Sequence, residues 1–136
     1  MKVALHLFVW ITLIGVYSFI FRANHPSITV DLISTSFLMF GSSIAVYTNL
    51  LLKAQKCSGK LTTTNYILAM AFVLLITTIS VVLSIQLVYD SLVGPNPLRF
   101  SLLTNLVLDF VWIIFHLALL SWLFSFINKK RLFIVN

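Results

Sequence analysis

Charge is what this sequence has least of. Only 9% of its 136 residues are charged, and the acidic ones number three, whereas about a quarter of an ordinary soluble domain is charged. The hydrophobic share is 60%. A water-soluble globule of this size could not cover such a composition with polar groups, which excludes an ordinary soluble domain. Cysteine is nearly absent too: Cys57 stands alone, so no internal disulfide can form. It is expected as a reduced thiol on the cytoplasmic side. The three prolines, Pro26, Pro95 and Pro97, all fall between apolar runs.

The signatures of catalysis are missing as well. There is no Gly-rich phosphate loop, no HExxH and no Ser/His/Asp arrangement. His6, His25 and His116 are scattered without the i, i+4 spacing of a metal site. The expectation is a protein that is not an enzyme and has no cofactor. No repeat or low-complexity tract occurs, and the longest segment outside the apolar runs is about ten residues, which leaves no room for a soluble domain.

What the chain does have is four nearly uncharged blocks, residues 3–21, 32–52, 61–89 and 100–128. Each reaches the roughly 20 residues needed to cross a hydrocarbon core about 30 Å thick. Backbone polar groups in lipid must bond within their own segment, so such blocks read as helices. The alternation of a transmembrane barrel is absent. The spacing predicts one domain over 1–136, an all-α membrane protein with four transmembrane helices at about 3–21, 32–52, 63–89 and 97–127. Short loops make neighbouring helices antiparallel, giving an up-down-up-down bundle. Asn96-Pro97 reads as the start of the fourth helix, with Asn as N-cap and Pro at the first helical position. The first block is expected to stay as a signal-anchor helix, because its apolar run exceeds 7–15 residues and FRAN offers no small-x-small cleavage site.

The net charge of +6 is a topology signal and does not imply nucleic-acid binding. Lys2, the loop lysines Lys53, Lys56 and Lys60, and the tail Lys129, Lys130 and Arg131 share one side; Arg22 and Arg99 fall on the other. Cytoplasmic loops carry this excess. The expected location is therefore the inner membrane, multi-pass, with both termini cytoplasmic and those basic residues as anchors against an anionic leaflet. Trp10, Tyr17, Tyr47, Tyr66, Tyr89 and Trp122 lie mostly toward helix ends and read as headgroup-level anchors.

Several polar residues interrupt the blocks. In TNLVLDFVWIIFH, residues 104–116, helical spacing places Asn105, Asp109, Trp112 and His116 on one face. The third helix offers Thr77, Ser80 and Ser84, and the second Ser36, Ser43 and Tyr47 with the small pair Gly41 and Ala45. These stripes are expected to converge on the bundle interior, where small residues allow close approach and hydroxyls bond across the gap. An aspartate at a helix centre costs about 2.5–3.5 kcal/mol, and each central Leu, Ile, Val or Phe returns roughly 0.3–0.6 kcal/mol. Fifteen such residues lie between Leu102 and Phe124, so the helix still inserts. Two readings of Asp109 stay open: an interhelical hydrogen-bonding group docked on Thr77, Thr78 or Ser43, or one member of a proton- or ligand-responsive pair with His116 lining a small polar cavity. The candidate intramembrane site is thus Asn105, Asp109, His116, Thr77, Ser80 and Ser43.

Three stretches carry a family likeness: HLFVW from His6 to Trp10; SFLMFGSSIAVYTNLLLKAQK, with Tyr47-Thr48-Asn49-Leu50 before a basic loop; and NKKRLF after the fourth block. Together they resemble the membrane input region of LytS-like bacterial histidine kinases, over nearly the whole chain. The resemblance implies a sensor region. The phospho-accepting histidine motif and ATP-binding domain of that family are missing here, so kinase activity does not carry over, and a detached or truncated input region is expected. The function expected is a sensor or interaction protein of the bilayer, acting through helix packing as a homodimer or with a membrane-protein partner. Its rivals are a small proton- or cation-coupled transporter or channel subunit, and an accessory or assembly protein.

Overall fold

A computed structural model describes residues 2–21, 27–94 and 102–132. Four helices follow one another: α1 (Lys2–Phe21), α2 (Ile28–Cys57), α3 (Thr63–Leu92) and α4 (Leu102–Leu132). At 1.5 Å per residue α1 is about 30 Å long and the others about 45 Å, the thickness of a bilayer core and of a bilayer with its headgroups. Helices α2, α3 and α4 contain stretches long and apolar enough to cross a membrane, and α1 is a shorter apolar helix. The chain is a multi-pass, all-α membrane bundle.

The helices run past the apolar blocks because local capping, and not the first charge, sets their ends. Helix α2 begins at Ile28 rather than at residue 32. Ser27, in extended backbone at φ −151° and ψ 150°, accepts a hydrogen bond from the Val30 amide at 3.3 Å, satisfying one of the orphan donors of the first turn. Asp31 then falls in that turn, where the positive end of the helix dipole favours a carboxylate. The same helix ends at Cys57 rather than at residue 52, in a Schellman turn. Gly59 has φ +74°, and the Gly59 and Lys60 amides donate to Lys56 and Gln55 carbonyls at 3.1 and 3.0 Å. The left-handed position favours glycine. Helix α3 is capped by Thr62, which accepts from the Asn65 amide at 3.2 Å; it continues to Leu92 rather than 89, and α4 to Leu132 rather than 127. Pro26, Pro95, Asn96, Pro97, Arg22, His25 and Arg99 lie outside the described residues.

Helix α2 is the hub, packing on α1, α3 and α4. Its buried positions include Asp31, Thr35, Leu38, Ser42, Ala45 and Asn49, at alternating steps of four and three. This is the seam spacing of helices packed at a shallow left-handed angle. Gly41 marks the closest α2–α3 approach: a Cβ there would fall on the Val81 Cγ2 methyl and 3.1 Å from Thr77 Cγ2. On α4 the buried face is Ile113, His116, Leu120 and Phe124. Helix α1 joins this three-helix core mainly through rings. His6 stacks on Phe124 at 4.1 Å, and Tyr17 meets Trp112 and His116 edge-on at 5.4 and 5.2 Å. Those pairs run α1 antiparallel to α4, while the α2–α3 contacts run antiparallel and the α2–α4 contacts parallel. The starts of α1 and α3 therefore share one end of the bundle with the ends of α2 and α4.

Candidate functional site

Charge sorts itself along the bundle. Lys2, Lys53, Lys56, Lys60, Lys129, Lys130 and Arg131 belong to the end just defined, while all three acids of the sequence sit away from it. Asp31 is in the first turn of α2, Asp90 in the last turn of α3 and Asp109 in the early part of α4. The basic end therefore has no acidic residue to neutralise it.

Two hydrogen-bonded clusters tie the helices together toward that end. In one, the Tyr47 hydroxyl accepts from Trp10 Nε1 at 3.0 Å and pairs with His6 Nδ1 at 2.9 Å, linking α1 to α2. Both His6 and Tyr47 stack with Phe124 of α4. In the other, Asn49 uses both ends of its amide. Its Nδ2 donates to Ser121 Oγ at 2.9 Å, and its Oδ1 accepts from the Tyr66 hydroxyl at 2.5 Å, joining α2 to α4 and to α3. The Lys56 ammonium lies 5.3 Å from the Tyr66 ring centre, within cation–π range. All four helices are thus bonded within about one turn of α2.

Away from the Asn49 cluster, α1 and α2 separate. A groove of 790 Å³ runs between them, lined by His6, Leu7, Trp10 and Ile14 on one side and by α2 residues from Leu32 to Tyr47 on the other. Ser36 and Ser43 make the room. Their hydroxyls donate to Leu32 and Phe40 carbonyls of their own helix, both at 2.7 Å. Each thus shows the groove a small, already satisfied side chain. Met39 and Trp10 form its buried floor, and Leu7, Leu32 and Phe40 are its exposed lips.

The residues expected to form the intramembrane site are dispersed. His116 is buried, 1% exposed; its Nδ1 donates to the Trp112 carbonyl at 2.7 Å, which fixes the proton on Nδ1 and leaves Nε2 as an acceptor inside a box of Tyr17, Trp112 and Phe115 rings. Asp109 and Asn105 are half-buried on α4, Thr77 is buried against Gly41, and Ser80 faces outward. Asp109 and His116 stand two helical turns apart, about 10 Å, and no bond joins them. The hydroxyls of Ser43 and Thr78 donate to the Phe40 and Leu74 carbonyls of their own helices. The anchor reading of the aromatics also needs correcting: Trp10 is buried, and Tyr17, Tyr47 and Tyr66 are packed between helices, whereas Trp122 is 65% exposed. Asp31, 0% exposed, is a buried acid just outside the apolar block 32–52, in the first turn of α2. Among the described residues no group of three or more His, Cys, Asp or Glu side chains could hold a metal.

No protein-family model, curated protein or solved structure matches the chain.

Proposed function

We propose that this chain is a membrane-embedded sensor or interaction module, in which the position of α1 against the α2–α3–α4 core is the variable read at the basic end. The observation that carries this reading is the unequal attachment of α1. Among the described residues only Trp10 and Ser18 of α1 are buried. The helix is held by the Trp10–Tyr47–His6 cluster, its ring contacts and the partly buried Val9, Leu13 and Ile14, with a 790 Å³ groove beside it. Each core helix buries more of its side chains. An element with few buried contacts is the one that opens or shifts at the least free energy. The hydrogen-bonded clusters next to the basic end couple such a shift to the ends of α2 and α4, from which a partner or a second copy would take the signal. The likeness to the LytS-type input region points the same way. The test is whether the distance from α1 to the core changes with bilayer composition while distances within the core do not.

In this reading α1 also crosses the bilayer, since its length of about 30 Å equals the hydrocarbon thickness. The charge asymmetry supports a topology in which the lysine loop, and both termini, face the cytoplasmic side of the inner membrane. Cys57 is exposed as the last residue of α2 and reports on this without any engineering. A membrane-impermeant maleimide is expected to leave it unlabelled in intact cells and to label it in inverted vesicles. Labelling in intact cells would reverse the orientation.

The transporter reading keeps a foothold in Asp31 and His116, both buried polar groups inside the bundle. Proton or cation flux in reconstituted vesicles that Asp31→Asn abolishes would favour it over the sensor.

A further inference from the structure

The α1–α2 groove has the volume of a ligand site, which typically spans about 300–1,000 Å³ with mostly apolar walls and a few polar groups. Its shape narrows the choice of occupant. On α2 the lining runs from Leu32 to Tyr47, about 22 Å along the axis. The groove is drawn out along α2 and walled almost entirely by apolar side chains. An extended hydrocarbon chain has that long, narrow, apolar form. The lips Leu7, Leu32 and Phe40 are exposed, so the groove opens sideways, as entry from a bilayer requires.

Its two ends differ. At one end the lining is Leu32 and Ile33; at the other it is His6 and Tyr47, whose hydroxyl is hydrogen-bonded to both His6 and Trp10. Lys53 is exposed on α2 a further 9 Å or so along the axis and roughly a quarter-turn round from the groove line, and its long, flexible side chain can lean toward the groove mouth. Lys56 is turned to the α3 side, over the Tyr66 ring, and no acid of the sequence lies at this end. An apolar channel that ends in hydrogen-bonding side chains at the basic, acid-free end of the bundle matches a molecule with a long chain and an anionic head.

We propose that the groove holds one acyl chain of an anionic phospholipid, with its headgroup at the His6–Tyr47 end beside Lys53. The chain lies along Ser36 and Ser43, where the small side chains leave room, and packs on Met39, Phe40 and Trp10. The head phosphate meets the lysine field that the loop presents. This assignment names a ligand for the α1 site, yet it concerns binding alone: lipid can occupy the groove whether or not α1 transmits the event.

Trp10 is the reporter. The full chain carrying Trp112→Phe and Trp122→Phe keeps Trp10 as its sole tryptophan. It is reconstituted in phosphatidylcholine vesicles containing increasing fractions of acyl-brominated phosphatidylglycerol, or of acyl-brominated phosphatidylcholine as the comparison. Quenching is expected to saturate at a phosphatidylglycerol fraction about five-fold lower than for phosphatidylcholine, as one lysine–headgroup contact implies. The groove-filling pair Ser36→Phe and Ser43→Phe is expected to remove that saturable component. The exposed change Lys53→Ala, which leaves the groove intact, is expected to erase the preference between the two lipids while quenching persists. Quenching that rises in proportion to bulk lipid and equally for both would mean ordinary surrounding lipid and would overturn the proposal. So would Trp10 shielded from both lipids, or a preference that Lys53→Ala leaves unchanged. Saturable, selective quenching in a protein whose α1 position never changes would keep the ligand and discard the sensor.

Discussion

Gly41→Leu is expected to prevent the bundle from forming, and Gly41→Ala to weaken it by about 1–3 kcal/mol, the usual range for overpacking. Two effects of opposite sign meet at this position. Replacing a mid-helix glycine gains about 1 kcal/mol of backbone entropy and propensity. Against this, a Cβ would fall on Val81 Cγ2 and 3.1 Å from Thr77 Cγ2. Val81 and Thr77 are β-branched, with few rotamers open to them in a helix, so neither can swing aside and relief requires α2 and α3 to move apart. The clash wins. Thermal or SDS-induced unfolding in detergent measures the loss. A double-mutant cycle assigns the cause: Val81→Ala alone is destabilising, yet it should recover most of the Gly41→Ala loss, a coupling that independent sites would not show.

Asn49→Leu is expected to lower stability by about 2–3 kcal/mol. It deletes two interhelical bonds, each worth about 0.6–2 kcal/mol within a membrane protein, and strands the Tyr66 and Ser121 hydroxyls among apolar groups. Ser43→Ala is the matched comparison. Its hydroxyl is bonded to its own helix at the Phe40 carbonyl, so its removal should leave unfolding nearly unchanged. Equal losses from the two substitutions would show that Asn49 does not clamp the three core helices.

That contrast also explains what the sequence made legible. The number and order of the helices, their antiparallel run and the Ser-Gly turn after α2 all follow from apolar length and turn chemistry. The polar stripes did not translate directly, because lipid excludes only unsatisfied polar groups. A serine or threonine can bond a carbonyl one turn back in its own helix, as Ser36, Ser43, Thr78 and Ser91 do, and so need not face the interior. Asn49 has both an amide donor and an acceptor and finds partners on two other helices. The side-chain type, more than its periodicity, marked the seam.

Asp31 escaped for a different reason. A carboxylate ends an apolar block by composition, yet Ser27 four positions earlier supplies an N-cap and a first-turn acid is favourable there. By composition alone the aspartate of α4 stands out more, because it interrupts a hydrophobic run. The buried polar side chains are concentrated on α2, the least apolar of the three long spans and the most enclosed. A helix that carries Asp31, Ser34, Thr35, Ser42 and Asn49 can lie in a bilayer because three neighbours cover it. His6, Trp10 and Tyr47 were visible as a motif, but nothing in their spacing announced that they meet across a groove.

The central claim, that α1 is the variable element of a fixed core, is tested most directly by a pair of distances. In a Cys57→Ser background, spin labels at positions 8 and 68 report α1 against α3, and labels at 51 and 68 report α2 against α3. Phe8, Leu51 and Leu68 are all exposed, so labels there leave the packing intact. Pulsed electron resonance in phosphatidylcholine bilayers, and again with added phosphatidylglycerol or altered bilayer thickness, should show the 8–68 distribution shifting between two populations while the 51–68 distribution stays fixed. An 8–68 distribution that is single and identical in every bilayer would contradict the account and leave a static four-helix scaffold.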